Sequence, residues 1–294
     1  MFFTCAALLF LAGCGNGNVS DGYGNFESTE VTVSAETAGR LLHFDVLEGV
    51  MLPKGVVAAQ IDTTQQALSR RQLEGERAAL MAGLPGLSAE TEVYRQQRRN
   101  VMRDVRRYQN LVREGAVPPK QLEEFENQVR VIDRQVASLS TRHPEIRDRL
   151  RAMDARIAQL DDMISKCRVL NPVSGTVLTT YVESGEVVSF GMPLYKIADL
   201  DSMFLRVYLS ETQLSRVRIG QHVEVLVDSE KPADRSLKGR IAWISSKAEF
   251  TPKIIQTRED RVSMVYAVKV QVRNPNGLLK IGMPGEMRLR KRGD

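Results

Sequence analysis

Apolar residues recur at alternating spacings of three and four along the second half of a long polar stretch. Leu122, Phe125, Val129, Ile132, Val136 and Leu139 form one run. Ile146, Leu150, Met153, Ile157, Leu160 and Ile164 form a second. A stripe this narrow is the a/d seam of a two-helix coiled coil. The preceding arm carries it less cleanly, through Tyr94, Val101, Val105, Tyr108 and Val112, and weakly before residue 83. Glu114-Gly115-Ala116-Val117-Pro118-Pro119 lies between the arms. Gly115 suits a left-handed helix stop, and the prolines suit the first turn of a new helix. A short link between helices with matching seams predicts an antiparallel hairpin over 62–168, with its tip at about 114–119. Arms of about 45 residues would reach roughly 70 Å. Asp62-Thr63-Thr64-Gln65 has capping-box spacing, with Asp62 capping and Gln65 reaching back. Gly83-Leu84-Pro85-Gly86 and His143-Pro144 fall at mirrored distances from the tip. Both arms are therefore expected to break or kink at one level.

The segments flanking the hairpin read as β-structure, and they repeat each other. Residues 39–61 (GRLLHFDVLEGVMLPKGVVAAQI) align without a gap on residues 175–197 (GTVLTTYVESGEVVSFGMPLYKI), 136 positions later. Gly39 falls on Gly175, Gly49 on Gly185 and Gly55 on Gly191. Leu42 falls on Leu178, Val46 on Val182 and Ile61 on Ile197. Two matching half-units at the base of a long insertion predict one sandwich, over 31–61 plus 169–199. A reaching and joining function follows more readily than catalysis. From residue 200 to 291, candidate strands at 203–209, 222–227, 237–244, 264–272 and 286–290 are separated by Gly, Pro and Asn turns. They predict a small antiparallel barrel, with a short helix at 211–217. Trp243, the single tryptophan, is assigned to the core.

Composition changes this picture little. A chain of 294 residues with 43% hydrophobic and 26% charged residues folds, and a net charge of +5 is small for so many charges. The N-terminus adds more. Phe2 opens a short apolar stretch that ends in Leu11-Ala12-Gly13-Cys14. It is too short to span a bilayer. The tetrapeptide resembles a bacterial lipobox, which implies a signal peptide over 1–13 and acylation at Cys14. No Lys or Arg precedes it, as a signal's basic start requires, which points to a start upstream of Met1. Residues 14–30, rich in Gly, Asn and Ser, read as a flexible tether. Cys167 is then the remaining thiol, placed as packing at a helix end.

Other chemistries find little support. His43, His143 and His222 are scattered surface or loop positions with no ligand spacing, so no metal is assigned. Arg95, Arg98, Arg99, Arg103, Arg106, Arg107 and Arg113 form a basic stretch with few aromatics. Glu123, Glu124, Glu126 and Asp133 on the other arm are expected to oppose it, so nucleic acid is not a partner. The residues show no nucleophile–base pairing and no Gly-Lys-Ser/Thr after residues 83–86. The chain is read as a non-enzyme without cofactor, and any ATP is used by a partner.

At this point the order of segments resembles the HlyD-type periplasmic adaptors, or membrane fusion proteins. The half-motifs VLEGVMLPKG and NPVSGTVLTTYVESGEVVSFG carry the likeness over about residues 31–291, with AEFTPKIIQTREDRVSMVYAVKV and LKIGMPGEM in the barrel. The barrel motifs look most like adaptors paired with ABC exporters. The resemblance implies an α+β multidomain fold: a split lipoyl-like β-sandwich interrupted by a long antiparallel coiled-coil hairpin, followed by a small antiparallel β-barrel. No stretch is left for the family's separate membrane-proximal domain, so the chain is expected to enter the sandwich directly from the tether. A covalent lipoyl or biotinyl carrier role is disfavoured, because neither half presents a Met-Lys tip. The implied function is a periplasmic adaptor of a Gram-negative bacterium, lipid-anchored at the inner membrane. It would link an ABC-type permease to a TolC-like outer-membrane channel, as a ring of copies, a hexamer by resemblance. An adaptor of an RND-type drug or metal pump, and a passive envelope scaffold, are the alternatives. Family members carry Arg, Leu and Ser at the tip; the matching positions are Arg107, Leu111 and Pro118, with Gly115 in the turn. Proline replaces the serine. Arg107 as a solvated charge and Leu111 as seam packing remain the plainer readings.

Overall fold

The computed structural model describes residues 20–228, 236–250 and 264–289. The chain runs β1 (Gly22–Glu27), β2 (Glu30–Ser34), β3 (Gly39–Phe44), β4 (Met51–Leu52), β5 (Val57–Ile61), α1 (Thr64–Arg113) and α2 (Pro119–Lys166). It continues through β6 (Arg168–Leu170), β7 (Gly175–Thr180), β8 (Val187–Val188), β9 (Pro193–Ala198), β10 (Ser202–Leu209) and α3 (Glu211–Leu214). It finishes with β11 (His222–Leu226), β12 (Ser236–Ile244), β13 (Glu249–Phe250), β14 (Met264–Arg273) and β15 (Pro284–Leu289).

The sandwich has two four-stranded sheets, ordered β2-β9-β7-β4 and β6-β5-β3-β8. The 136-residue repeat maps β2 on β6, β9 on β5, β7 on β3 and β4 on β8, so the sheets exchange under one pseudo-two-fold operation. Each sheet draws strands from both halves. The hydrogen bonds obey the same rule. Gly49 N–H donates to Val177 O and Gly185 N–H to Leu41 O. Gly55 N–H donates to Asn171 O and Gly191 N–H to Ala35 O. The glycines at these four turns have φ between 79° and 95°, the left-handed region that favours glycine. Gly39 and Gly175 are needed for a different reason: a Cβ on Gly175 would stand 2.5 Å from Ala198 O, and one on Gly39 2.8 Å from the Ile61 side chain. Val46 with Val182 and Ile61 with Ile197 are buried in both copies. Leu42, by contrast, is exposed and Leu178 half-buried; their neighbours Leu41 and Val177 fill the core. Strand alternation sends the matched leucines to the other face.

Asn171 ties the halves together from inside. Its Nδ2 donates to Leu52 O, Pro53 O and Val173 O at 3.1, 3.0 and 2.7 Å, and its Oδ1 accepts from Tyr195 OH at 3.1 Å. Both residues are buried, and burial pushes the Tyr195 phenol up to about 12.

The barrel closes through β10-β1-β15-β11-β12-β14, with β14 returning to β10 and β13 added on β14. Phe26, Met203, Leu205, Leu209, Ile241 and Met287 are buried at its centre. The expected strands and short helix are present among the described residues; only the end of the last strand, at 290, lies beyond them. The expectation for residues 20–30 is corrected: they are not tether. Gly22–Glu27 forms β1, bonded between β10 and β15. The glycines that suggest a linker permit the strand, since a Cβ on Gly24 would fall 1.7 Å from Arg206 O. The chain thus passes through the barrel before the sandwich. The signal peptide, Cys14 and most of the AEFTPKIIQTREDRVSMVYAVKV motif lie outside the described residues. Trp243 is also corrected: it sits at a β-bulge opposite Lys269 and is 41% exposed. The bulge shifts the inward–outward alternation on which the core assignment rests.

The hairpin helices contain 50 and 48 residues, and neither breaks at its proline. Half-buried or buried positions on α2 include 122, 125, 129, 132, 136, 139, 143, 146, 150, 153, 157, 160 and 164. His143, expected on the surface, fills the gap between the two runs. On α1 they include 66, 70, 73, 77, 80, 84, 87, 91, 94, 98, 101, 105, 108 and 112. The a/d frame therefore continues past Pro85 and Pro144 without an inserted or deleted residue. Three cross-helix ion pairs confirm one register: Arg70–Asp161, Arg77–Asp154 and Arg98–Asp133, each 2.5 Å and spaced by multiples of seven. At the base, Asp62 Oδ1 accepts from Thr64 N and Thr64 Oγ1, while Thr63 is the N-cap residue. The expected capping box is replaced by this local turn.

Asn171→Ala should cost about 2–3 kcal/mol, because it strips a partner from several buried polar groups at once; urea unfolding measures this. The raised Tyr195 pKa means the unfolded chain loses its phenolic proton first. Stability should therefore fall between pH 10 and about 12, by up to ~1.4 kcal/mol per pH unit. Comparison with Tyr195→Phe isolates this slope. Gly83 and Gly86 have open space around an added Cβ. Each Gly→Ala change should stabilise the hairpin by about 0.5–1 kcal/mol, read as a higher thermal midpoint by circular dichroism.

Candidate functional site

The hairpin tip is built from helix-ending rules. Gly115, at φ 71°, donates to Val112 O, and Ala116 N–H donates to Leu111 O. These two bonds are a Schellman motif, which satisfies carbonyls at the end of α1. Pro118 is the N-cap residue of α2 in extended backbone, and Pro119 opens the helix. No side chain caps this end; Gln121 N–H reaches Pro118 O at 3.3 Å instead. The resemblance places serine at this N-cap position, where a hydroxyl would accept an orphan N–H. Proline keeps the turn and removes that acceptor.

Below the turn, the Tyr108 and Phe125 rings pack across the seam with centroids 4.8 Å apart. Leu111 is half-buried beside the seam positions Tyr108 and Val112. Arg107 is exposed, donates to Asp104 at 2.6 Å and lies 5.8 Å from the Tyr108 ring centroid. Gly115, Ala116 and Pro118 are exposed. The structure thus places Gly115 and Pro118 in the turn and Leu111 and Arg107 on the last turns of α1 below it; Arg107, Gly115 and Pro118 are open to solvent and Leu111 is half-buried.

The basic stretch behaves differently from expectation. Arg98 alone of the seven crosses to the acidic arm, and its hydrogen bond to Asp133, with their charge attraction, raises the guanidinium pKa. Arg99 and Arg95 pair with Glu92 on their own helix, and the Arg99 hydrogen bond lowers the Glu92 pKa. Glu123, Glu124 and Glu126 make no ion pair among the described residues.

At the other end of the hairpin, Ile61 N–H donates to Cys167 O at 2.8 Å and β5 pairs with β6. Cys167 is fully buried at the end of α2, 3.5 Å from Thr37 Oγ1. Among the described residues no group of His, Cys, Asp and Glu is arranged to hold a metal, and no helix is long and apolar enough to cross a membrane.

No family model matches the chain. It is 28% identical over 286 residues to a "UPF0194 membrane protein" of Acidithiobacillus ferridurans, covering 89% of this chain and 84% of that one. It is equally 28% identical over 301 residues to a "UPF0194 membrane protein" of Yersinia pseudotuberculosis, covering 92% and 89%. Among solved structures, MacA from Actinobacillus actinomycetemcomitans superposes with a TM-score of 0.62 at 20% identity, covering 92% of this chain and 79% of that one. The membrane fusion protein Spr0693 from Streptococcus pneumoniae R6 gives 0.59 at 17% identity, covering 92% and 98%. This chain shares its fold with those structures, the fold of the HlyD-type periplasmic adaptors, the membrane fusion proteins.

Proposed function

We propose that the chain is the periplasmic adaptor of a tripartite efflux or secretion system, joining an inner-membrane transporter of ABC type to a TolC-like outer-membrane channel. The observation that carries this reading is the unbroken hairpin. Helices of 50 and 48 residues place a small, preorganised turn about 70 Å from their base. A globular fold of this size does not span such a gap, and the hairpin carries no catalytic constellation among the described residues.

In this reading Cys14 holds the chain to the inner membrane by lipid. The barrel and sandwich stand near that membrane, and several copies form a ring, a hexamer by resemblance. Arg107, Leu111, Gly115 and Pro118 meet the channel. Gly115 fixes the turn, Leu111 offers an apolar contact beside it, and Arg107 offers charge. The barrel motifs support the ABC assignment.

Photoreactive residues at Ala116 and Ser236, crosslinked in living cells, test the bridge. The expected adducts are an outer-membrane channel at the tip and an inner-membrane permease at the barrel. Self-crosslinks alone would favour an envelope scaffold. Leu111→Asp should reduce export to background while the helical circular dichroism signal stays unchanged. Normal export from that variant would remove Leu111 from the contact.

A further inference from the structure

The barrel has two ends, and strand direction tells them apart. β1 runs from Gly22 to Glu27 and passes the chain to the sandwich at β2. Against β10, Tyr23 lies opposite Tyr208 and Glu27 opposite Phe204. Gly22 and Leu209 therefore mark the end away from the sandwich. Ser20 and Asp21 are bonded into that end. Asp21 N–H donates to Met287 O, its Oδ2 accepts from Leu289 N–H, and its carbonyl accepts from Gln213 Nε2 of α3. Ser20 Oγ donates to Glu286. Only residues 15–19 separate Cys14 from this bonded segment. The stretch from 14 to 20 can extend about 20 Å at most.

The same end carries a surface that the fold does not use. After α3, Arg216 N–H donates to Gln213 O. The next turn, with Gly220 at φ 87°, is closed by Gln221 N–H to Arg218 O and pinned on β12 by Gly220 N–H to Ile241 O. Leu214 and Val217 pack into the barrel core. Arg216, Arg218 and Ile219 are exposed, Ile219 by 67%. Arg240 stands beside the turn, its Nη2 3.5 Å from where a Cβ on Gly220 would lie. None of these three arginines makes an ion pair among the described residues. Glu211 is the sole carboxylate between Ser210 and His222. Trp243, just past Ile241 on β12, and Met264, where β14 begins, add exposed apolar surface at this end.

We propose that this end docks on the anionic phospholipid surface of the membrane that holds the Cys14 lipid. Ile219 enters the headgroup layer, and Arg216 and Arg218 meet phosphates, with Arg240 adding charge beside them. The inference rests on the lipid-anchor reading above. Reach selects the occupant first: an acylated Cys14 sits in the bilayer, and α3 with its turn is tied to Asp21 a short stretch away. Chemistry selects it second. A guanidinium binds phosphate oxygens through two donors. Anionic lipid strengthens the hold of apolar residues flanked by basic ones. Tryptophan suits the same interfacial layer. The consequence is orientation. One lipid anchor leaves the barrel able to swivel, whereas a second contact fixes which end faces the bilayer.

The full acylated chain in vesicles of phosphatidylethanolamine and phosphatidylglycerol tests the contact. A fluorophore on Ile219→Cys should be quenched by lipids spin-labelled near their headgroups. One on Asn276→Cys, in the exposed turn after β14 at the sandwich end, should not. The parent chain, whose Cys167 is buried, is the labelling control. Arg216→Glu with Arg218→Glu should lower quenching at 219 to the level at 276, while flotation still finds the chain on vesicles. Replacing phosphatidylglycerol by phosphatidylcholine should do the same. No more quenching at 219 than at 276, with the chain vesicle-bound, would overturn the contact and leave the anchor standing. A chain without acyl groups on Cys14 by mass spectrometry would overturn both. A photoreactive residue at 219 that captures a permease in living cells, in place of phospholipid, would assign the surface to the transporter and overturn the proposal.

Discussion

Neither half of the sandwich is a folded object without the other. Each glycine turn in one half gives its N–H to a backbone carbonyl of the opposite half, and each sheet takes two strands from either half. The single core between the sheets takes its buried side chains from both halves, Val33, Leu41 and Ile61 with Val177, Leu194 and Ile197, so the halves form together or not at all. Residues 61 and 167, separated by the whole hairpin, are brought within one hydrogen bond by this interlock. Everything the hairpin does depends on that closure. Its helices begin from strands already fixed side by side, and the entropy of closing a loop of this length is offset by the sandwich.

The hairpin itself keeps order by a mixed seam. Leu73, Leu80, Leu84, Leu87 and Val105 supply apolar contact on α1, while Arg70, Arg77 and Arg98 occupy seam positions and reach out to aspartates. Polar residues in a seam cost stability and specify register. Their common spacing holds the helices in one alignment on both sides of the proline level. A proline inside a helix removes one backbone hydrogen bond; packing along nearly fifty residues of partner helix outweighs it.

Much of this was legible in the chain, and the misses share a cause. The α2 seam is apolar apart from His143, so its period stands out. The α1 seam below residue 83 faded because Arg70 and Arg77 sit where apolar residues are expected, and a charged side chain with an apolar stem fills a seam without looking hydrophobic. Gly22 and Gly24 imitate a linker by composition, although β1 needs them to lie close against β10. Trp243 follows a bulge that no local pattern announces. The six repeat glycines could be matched by position, but their two separate physical reasons, left-handed turns and close backbone approach, required the coordinates. At the tip, Gly115 was readable as a helix stop. The place of Pro118 as N-cap was not, since proline is a poor sign of a cap.

The unbroken heptad frame makes the hairpin a ruler with a fixed unit. Removing seven residues from each arm would shorten its reach by about 10 Å and present the tip on the same side. Removing three or four would also rotate the tip, by roughly 40–60° about the helix axis, and would set arginines of one helix against the wrong residues of the other. The span between base and tip is therefore adjustable only in steps, and distance across the gap is linked to the direction in which the tip faces.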